Sequence, residues 1–437
     1  MTQRWHGILM YAIMAVMLAL VGIIQGWSNA LGILNLCLIS AIMALGVNIQ
    51  WGYAGLLNVG VMGFAALGGL AVVLVAAAPV PEALAAGGAG VVWAALIMAV
   101  IVVVAYGVRT LLPPSTARTW ALVAVVALGS VVAGGFYFPA TDAIEAVDPS
   151  LQGYLGGLGL PVLVAWVVAP LLAAAAAWFI GKIALGLRAD YLAIATLGIS
   201  EIVVVTIKNE EWLTRGVKNV VGLPRPVPTE MEVRVMSGFD RLVAWTGLSV
   251  NELSSIVVKL GYTALFAAIL CALLFLFQLA LHSPWGRMMR AIRDNEIAAS
   301  AMGKNVTRMH LKVFIIGSAI VGLAGAMLVT LDGQFTPGGY QPLRYTFLIW
   351  VMVIVGGSGN NWGSVFGGFL IWFCWVQAEP VGVWLLESAT AWLPDGSDLR
   401  AHLLNNASQI RLVLMGAILL VALRFMPKGL FPEKTGV

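Results

Sequence analysis

Hydrophobic positions along the chain gather into long runs separated by short polar ones, and a helix needs about 20 apolar residues to cross a hydrocarbon core. By that length twelve stretches qualify: 7–26, 30–49, 54–78, 88–106, 119–138, 161–182, 189–207, 255–281, 311–331, 343–357, 364–378 and 410–426. The 343–378 region is too long for one crossing, since a single helix there would run to about 50 Å against a core of about 30 Å. Gly356, Gly357, Gly359, Asn360, Asn361 and Gly363 must turn it, because Gly and Asn accept the backbone angles of a tight reversal. Its halves are short, which leaves a re-entrant pair and two full spans equally open. The pattern predicts an all-α, polytopic transmembrane helical bundle of about 10–12 membrane segments, a single domain over 1–437.

Composition agrees with lipid as the main solvent. Of 437 residues, 61% are hydrophobic and 10% charged, against about 25% charged in a soluble domain. Mean hydropathy is +0.96, more apolar surface than one soluble core can bury. The 18 Pro and 49 Gly lie largely among apolar residues, where neighbouring helices satisfy the freed backbone groups. The run beginning near Gly7 has no small-residue cleavage site after it and is followed almost at once by another. It reads as a retained helix rather than a removed signal peptide.

Several chemistries are excluded. Net charge is only +4 and the basic residues are scattered through short loops, so nucleic acid is not a partner. Cys37, Cys271 and Cys374 sit in apolar runs without CxxC spacing. His6, His282, His310 and His402 offer no metal-ligand spacing, and no Ser/His/Asp set falls within a segment. No GxxxxGK[ST] phosphate loop is present, so this chain cannot itself hydrolyse ATP by that device.

With a cytoplasmic N-terminus, the basic residues fall on the inside loops: Arg109 and Arg118, Lys182 and Arg188, the stretch from Arg287 to Lys312, then Arg424, Lys428 and Lys434. The outside loops carry Asp142, Glu145 and Asp148, and in 379–409 Glu379, Glu387, Asp395 and Asp398 against Arg400. Both termini then lie inside. The 208–254 loop is external and predicts a small cap or an interfacial helix, and 282–310 is a cytoplasmic loop.

That inside loop reads HSPWGRMMRAIRDNEIAASAMGKNVTRMH. From Arg287 to Met302 it lacks Pro and Gly and is rich in helix formers, which predicts one short helix bounded by Gly286 and Gly303. Met288, Ile292, Ala299 and Met302 share one side of it, with Arg290, Arg293 and Asp294 elsewhere. Such a slim amphipathic helix either enters a groove on a second protein or rests on anionic headgroups.

Two regions inside the apolar runs are candidates for a transport path. Segments two and three meet at Asn48, Gln50, Trp51, Gly52, Tyr53, Gly55, Asn58 and Gly60. Amides and small residues there permit irregular backbone, which survives at membrane depth only inside protein or beside a cavity. A gate or corridor fits, as does a plain inside turn with aromatic anchors. Glu201 lies within an apolar segment, and a carboxylate there normally meets a partner or a wet cavity. It either lines a path or locks two helices together. Gly322 and Gly325 suit close helix packing.

Six motifs identify a resemblance: WGYAGLLNVGVMGFAALGG at 51–69, DYLAIATLGISEIV at 190–203, LTRGVKNVVGLPRP at 213–226, SPWGRMMRAIRDNEIAASAMG at 283–303, GLAGAM at 322–327 and VGGSGNNWGSVFGG at 355–368. Their order and spacing resemble those of branched-chain amino acid ABC importer permeases, and the chain resembles the longer of the two permeases such systems pair. Glu296, Ala298, Ala299 and Gly303 look like that class's Glu-Ala-Ala…Gly coupling loop, with Ile297 interposed. The likeness covers most of 28–378 and the tail RFMPKGLFPEK at 424–434; the 79–160 region is longer and richer in Ala and Val, and 379–409 is extended.

The resemblance implies a non-catalytic membrane subunit of the bacterial inner membrane, with Arg287, Arg290, Arg293, Glu296, Ala298, Ala299 and Gly303 meeting the ATPase. It implies a second permease subunit, two nucleotide-binding subunits that hold ATP and Mg, an external solute-binding protein, and no cofactor in this chain. Leucine, isoleucine and valine are the implied cargo, with urea, another small amide or another amino acid as alternatives. An ion-coupled secondary transporter is the runner-up, but it should show inverted repeats and several midplane charges.

Overall fold

The computed structural model describes residues 3–148, 153–392, 394 and 397–433; Asp395 and Lys434 lie outside them. Each of the twelve apolar stretches forms a helix. In chain order these are α1 (Gln3–Gln25), α2 (Trp27–Ala54), α3 (Val61–Ala76), α4 (Pro81–Leu111), α5 (Thr116–Glu145) and α6 (Val162–Ala184). The second half comprises α7 (Ala189–Asn209), α8 (Val250–His282), α9 (Val306–Asp332), α10 (Pro342–Gly356), α11 (Asn361–Ala389) and α12 (Ile410–Phe425). Ten are long and apolar enough to cross a membrane, α12 together with the turn before it as Ala407–Phe425, while α3 and α10 are shorter. The chain is therefore a polytopic helical membrane protein.

Small residues decide what is central. A Cβ on Gly46 of α2 would stand 2.8 Å from the Gly317 carbonyl of α9, and one on Gly325 would collide with the Ala65 backbone of α3. A Cβ on Gly68 of α3 would likewise strike the Gly322 carbonyl. With nothing between the backbones, α2, α3 and α9 pack at van der Waals distance, the way helices associate where lipid removes the hydrophobic drive. In α6 the small residues Ala165, Ala169, Ala173 and Ala177 face this core and are fully buried.

The turn after α10 behaves as its Gly and Asn content demands. Gly357 and Gly359 hold φ of 116° and 78°, a region side-chain-bearing residues rarely enter. Asn360 then caps α11 by accepting from Trp362 N (3.0 Å) and Gly363 N (3.2 Å). Of the two openings left for 343–378, the second half has full spanning length, because α11 continues through Pro380 to Ala389. The first part of the 379–409 stretch is thus helix rather than loop, followed by a short helix at Asp398–Asn405.

Connections segregate into two sets at opposite ends of the bundle. At one end the 55–60, 283–305, 357–360 and 426–433 connections meet, with Leu430 N donating to Val355 O (2.8 Å) and Phe431 N to Gly356 O (3.0 Å). At the other, a two-residue strand β1 (Val220–Val221) pairs antiparallel with β2 (Gln334–Phe335), and Leu155 N reaches Trp212 O (2.9 Å). The 208–254 segment there holds short helices at Glu211–Thr214, Glu230–Val235 and Phe239–Thr246, the second with a complete Thr229/Glu232 capping box.

Candidate functional site

The 282–310 loop differs from the single helix its sequence predicts. It forms two short helices, Pro284–Asp294 and Glu296–Ala301, parted at Asn295. Asn295 is extended (φ −156°) and its side-chain oxygen accepts from Ala298 N (2.9 Å), so the residue ends one helix and caps the next. The start also shifts: Ser283 caps the first helix and Pro284 opens it, which puts Gly286 inside. Gly303, at φ 78°, ends the second.

The break re-aims the apolar side. Met289 and Ile292 are buried against the bundle, with Met288 only half-buried, whereas Met302 turns outward. Ala299 is buried and holds the second helix down, while Glu296, Ile297 and Ala298 face away from the protein. Ile297 is 82% and Met302 81% exposed. Two large apolar side chains on a polar, protruding element form a small sticky patch, a feature of surfaces that another protein covers. Arg287 is exposed, and Arg290 reaches back to donate to Leu281 O (3.2 Å).

Arg293 joins this element to the bundle. Its Nη1 donates to Gly52 O (2.6 Å) at the end of α2 and to Glu433 Oε2 (2.9 Å) of the tail, while Nε and Nη2 both reach Asp294 Oδ1 (3.1 Å). Burial works against the Arg293 charge, yet Glu433 and Asp294 outweigh it and hold its pKa above the ordinary value. A guanidinium serves these acceptors in a fixed plane, which an ammonium cannot.

Immediately beneath lies the amide cluster at the α2–α3 junction. Asn48 accepts from Gly359 N (2.9 Å) and donates to Asn361 Oδ1 (3.3 Å). Gln50 donates to Phe314 O (3.1 Å) and Ser318 Oγ (3.2 Å) and accepts from Asn58 Nδ2 (2.9 Å). Asn58 in turn accepts from Gly60 N (2.9 Å), and its own carbonyl accepts from Trp350 Nε1 (3.1 Å). Each of the three amides is at most 1% exposed. Tyr53 is buried beside the Asn361 backbone, with Arg290, Arg293 and Glu433 farther off. The irregular 55–60 stretch is thus enclosed in protein, and the three amides bind α2 and this stretch to α9, α10 and α11.

Glu201 stands apart from that cluster. On α7 the inward residues are Leu192, Thr196, Ser200, Val204 and Ile207, and Glu201 lies on the exposed side with Ile194, Ile202 and Val205. An uncovered carboxylate among apolar side chains on a membrane helix calls for a further surface or water against it. The structure therefore brings Asn48, Gln50, Tyr53 and Asn58 together and leaves Glu201 elsewhere. Gly359 and Asn361, legible in the sequence only as turn residues, are partners of Asn48, and Glu433 is a partner of Arg293 that the sequence marks only through the basic, Pro-containing tail at 424–434.

Comparison with known proteins bears on the family of the whole chain. The family profile described as "Branched-chain amino acid transport system / permease component" matches residues 29–423. The high-affinity branched-chain amino acid transport system permease protein LivM of Escherichia coli (strain K12) is 27% identical over 305 residues, covering 68% of this chain and 62% of that protein. The chain thus aligns with less than two thirds of that relative's length. A probable branched-chain amino acid transport permease protein LivM of Methanocaldococcus jannaschii is 25% identical over 335 residues, 72% of this chain and 83% of the relative. The permease protein LivH of the Escherichia coli (strain K12) system is 29% identical over 109 residues, 24% of this chain and 35% of its own. No solved structure gives a significant match. With a family profile running from the second helix to the last, this chain belongs to the permease components of branched-chain amino acid transport systems.

Proposed function

We propose that the chain is the longer of two paired permeases in an ATP-driven importer that carries leucine, isoleucine and valine across a bacterial inner membrane, with both termini in the cytoplasm. A second, different permease packs beside it, two ATPase subunits bind ATP and Mg, and an external protein delivers the cargo. This chain performs no bond chemistry. Its work is to present a path and to convert movement of the ATPase into movement of helices.

The observation that carries this reading is the two-helix element at 284–301. It protrudes with Ile297 and Met302 uncovered, yet Arg293 and the buried Met289 and Ile292 bind it firmly to the bundle. A rigidly mounted surface suits mechanical transfer. Glu296, Ala298 and Gly303 then form the part that the ATPase grips, and Arg287 and Arg290 flank it. The Glu201 side of α7 faces the seam with the second permease, where the carboxylate meets water or cargo.

The test is uptake of labelled leucine by the whole assembly in membrane vesicles carrying Ile297→Asp or Glu296→Lys. Burying an unpaired charge at a hot spot costs about 2 kcal/mol or more, so uptake should fall at least about tenfold at unchanged protein level. Unaltered ATP-driven uptake in both variants would remove the docking role.

A further inference from the structure

A cavity of about 330 Å³ opens between α2, α3, α9, α10 and α11 at the end of the bundle opposite the Pro284–Asp294 helix. Its walls are apolar, with Met43 of α2 and Ile349 and Met352 of α10 among them. Its polar groups are few and placed apart. Asp332, the last residue of α9, lines it and is exposed, and among the described residues no cation or hydrogen-bond donor engages its carboxylate. Thr336 and Trp372 also line it, and the Thr336 hydroxyl and the Trp372 indole N–H are buried without a hydrogen-bond partner.

Buried donors left unpaired are costly, and native proteins retain them where a ligand or water completes the bond. The cavity lies at the lower end of the ~300–1,000 Å³ of small-molecule sites, and it has their usual make-up of apolar walls with a few polar groups. A zwitterion with a branched aliphatic side chain matches all three elements. Its ammonium answers Asp332, its carboxylate accepts from Thr336 and Trp372, and its side chain fills the space beside Met43, Ile349 and Met352. A phospholipid tail would fill the walls, but the anionic rim disfavours its phosphate and leaves both donors unpaired.

A second, more open cavity of about 550 Å³ adjoins the first and shares Tyr345 and Trp372 with it. It holds the Arg411–Glu379 ion pair, with Arg411 also over the Trp375 ring at 5.4 Å. A charge pair on the approach and a narrower apolar chamber beyond form a graded entry for a zwitterion. The geometry points to a binding site for an aliphatic amino acid within this subunit itself, with Asp332 at its rim. This deepens the proposed function and rests on it for the identity of the cargo.

The experiment is photolabelling of the complete transporter in lipid nanodiscs with a diazirine analogue of leucine, followed by peptide mapping, with leucine uptake measured in parallel. Labelling should map to peptides containing residues 36–43 and 345–352 and be displaced by free leucine. Ile349→Trp, which fills the chamber, should cut labelling at least about tenfold, as expected when a pocket of this size is occluded. Ile349→Val should retain it, which separates occlusion from misfolding. Asp332→Asn should reduce it about fivefold through loss of one charge-assisted contact.

Labelling confined to other helices, or undiminished by both Ile349→Trp and Asp332→Asn, overturns the site even if wild-type uptake of leucine is normal. Retention of phospholipid by the wild type and its loss in Ile349→Trp, without leucine-displaceable labelling, overturns it in favour of a lipid. Absent uptake with displaceable labelling in place would instead sink the transport reading while upholding the site.

Discussion

Helices α2 and α4 look alike as strings of apolar residues, yet 78% of an 18-residue apolar stretch of α2 is buried inside the protein and only 11% of the corresponding stretch of α4. The α4–α5 pair forms a hairpin on the flank of the bundle, and only 6% of the α5 stretch is covered. Its attachment is concentrated at one end, where Glu145 accepts from Trp212 N (3.1 Å) and Tyr137 accepts from Trp212 Nε1 (2.9 Å) while donating to Glu210. The difference lies in what accompanies the apolar residues. Buried amides, Asn35, Asn48 and Gln50, mark α2 as a helix with protein on all sides, whereas the hairpin carries no amide side chain and turns bulky Val, Leu and Trp side chains outward. In lipid, apolarity reports the solvent and buried amides report the neighbours.

The comparison can be broken by substitutions of one kind in both regions. Gly325→Leu, which drives a side chain into the Ala65 backbone, should cost about 3 kcal/mol and sharply lower the folded yield, read as the thermal midpoint in detergent. Gly107→Leu in α4, with no atom within 4 Å of its added Cβ, should stay within about 0.5 kcal/mol. Equal losses at both sites would erase the distinction between core and flank.

Gln50→Ala comes next. It deprives Asn58 of an acceptor and Phe314 O and Ser318 of a donor in a buried site, at about 1–3 kcal/mol. If Gln50→Ala leaves the thermal midpoint unmoved but changes uptake, the amides serve the path rather than the packing. Arg293→Ala should cost stability less, about 1–2 kcal/mol, but should reduce coupled leucine uptake several-fold by loosening the docking helix. Arg293→Lys should recover only part of that uptake, since one ammonium cannot meet Gly52, Asp294 and Glu433 in a plane.

Smaller effects sharpen the flank. Glu201→Gln should lower uptake about threefold with protein yield unchanged, if the exposed side of α7 borders a wet seam. Unchanged uptake with reduced yield would make it a packing contact with the second permease. Leu128→Ala on the uncovered side of α5, where Leu128 is 69% exposed, should shift stability by less than about 0.5 kcal/mol.

The helical architecture was legible because the bilayer imposes a length on every spanning segment, and the Gly/Asn cluster at 356–363 announced its own reversal. The docking element was legible as a place but not as a shape. Asn295 sits mid-run among good helix formers, and nothing local distinguishes a tolerated Asn from one that caps a new helix. Met302 consequently falls outside although the helical wheel puts it with Ile292. The amide cluster showed polar residues in apolar surroundings without showing their partners, since Gln50 bonds Ser318 and Asn48 bonds Asn361 across hundreds of residues of chain. The tail at 424–434 stood out, but nothing in it marked Glu433 as the partner of Arg293, and the Asp332 cavity was invisible because five helices supply its walls.

Arg293 sits where two lines of force would diverge. Its guanidinium touches the end of α2 through Gly52, and through Glu433 it touches the tail that lies along the Val355–Gly356 carbonyls at the end of α10. A push on the protruding helices in the proposed importer therefore cannot be absorbed by one helix alone. Beside the buried contacts of Met289 and Ile292, that side chain ties the neighbouring ends of α2 and α10 to the same element, so the two are yoked.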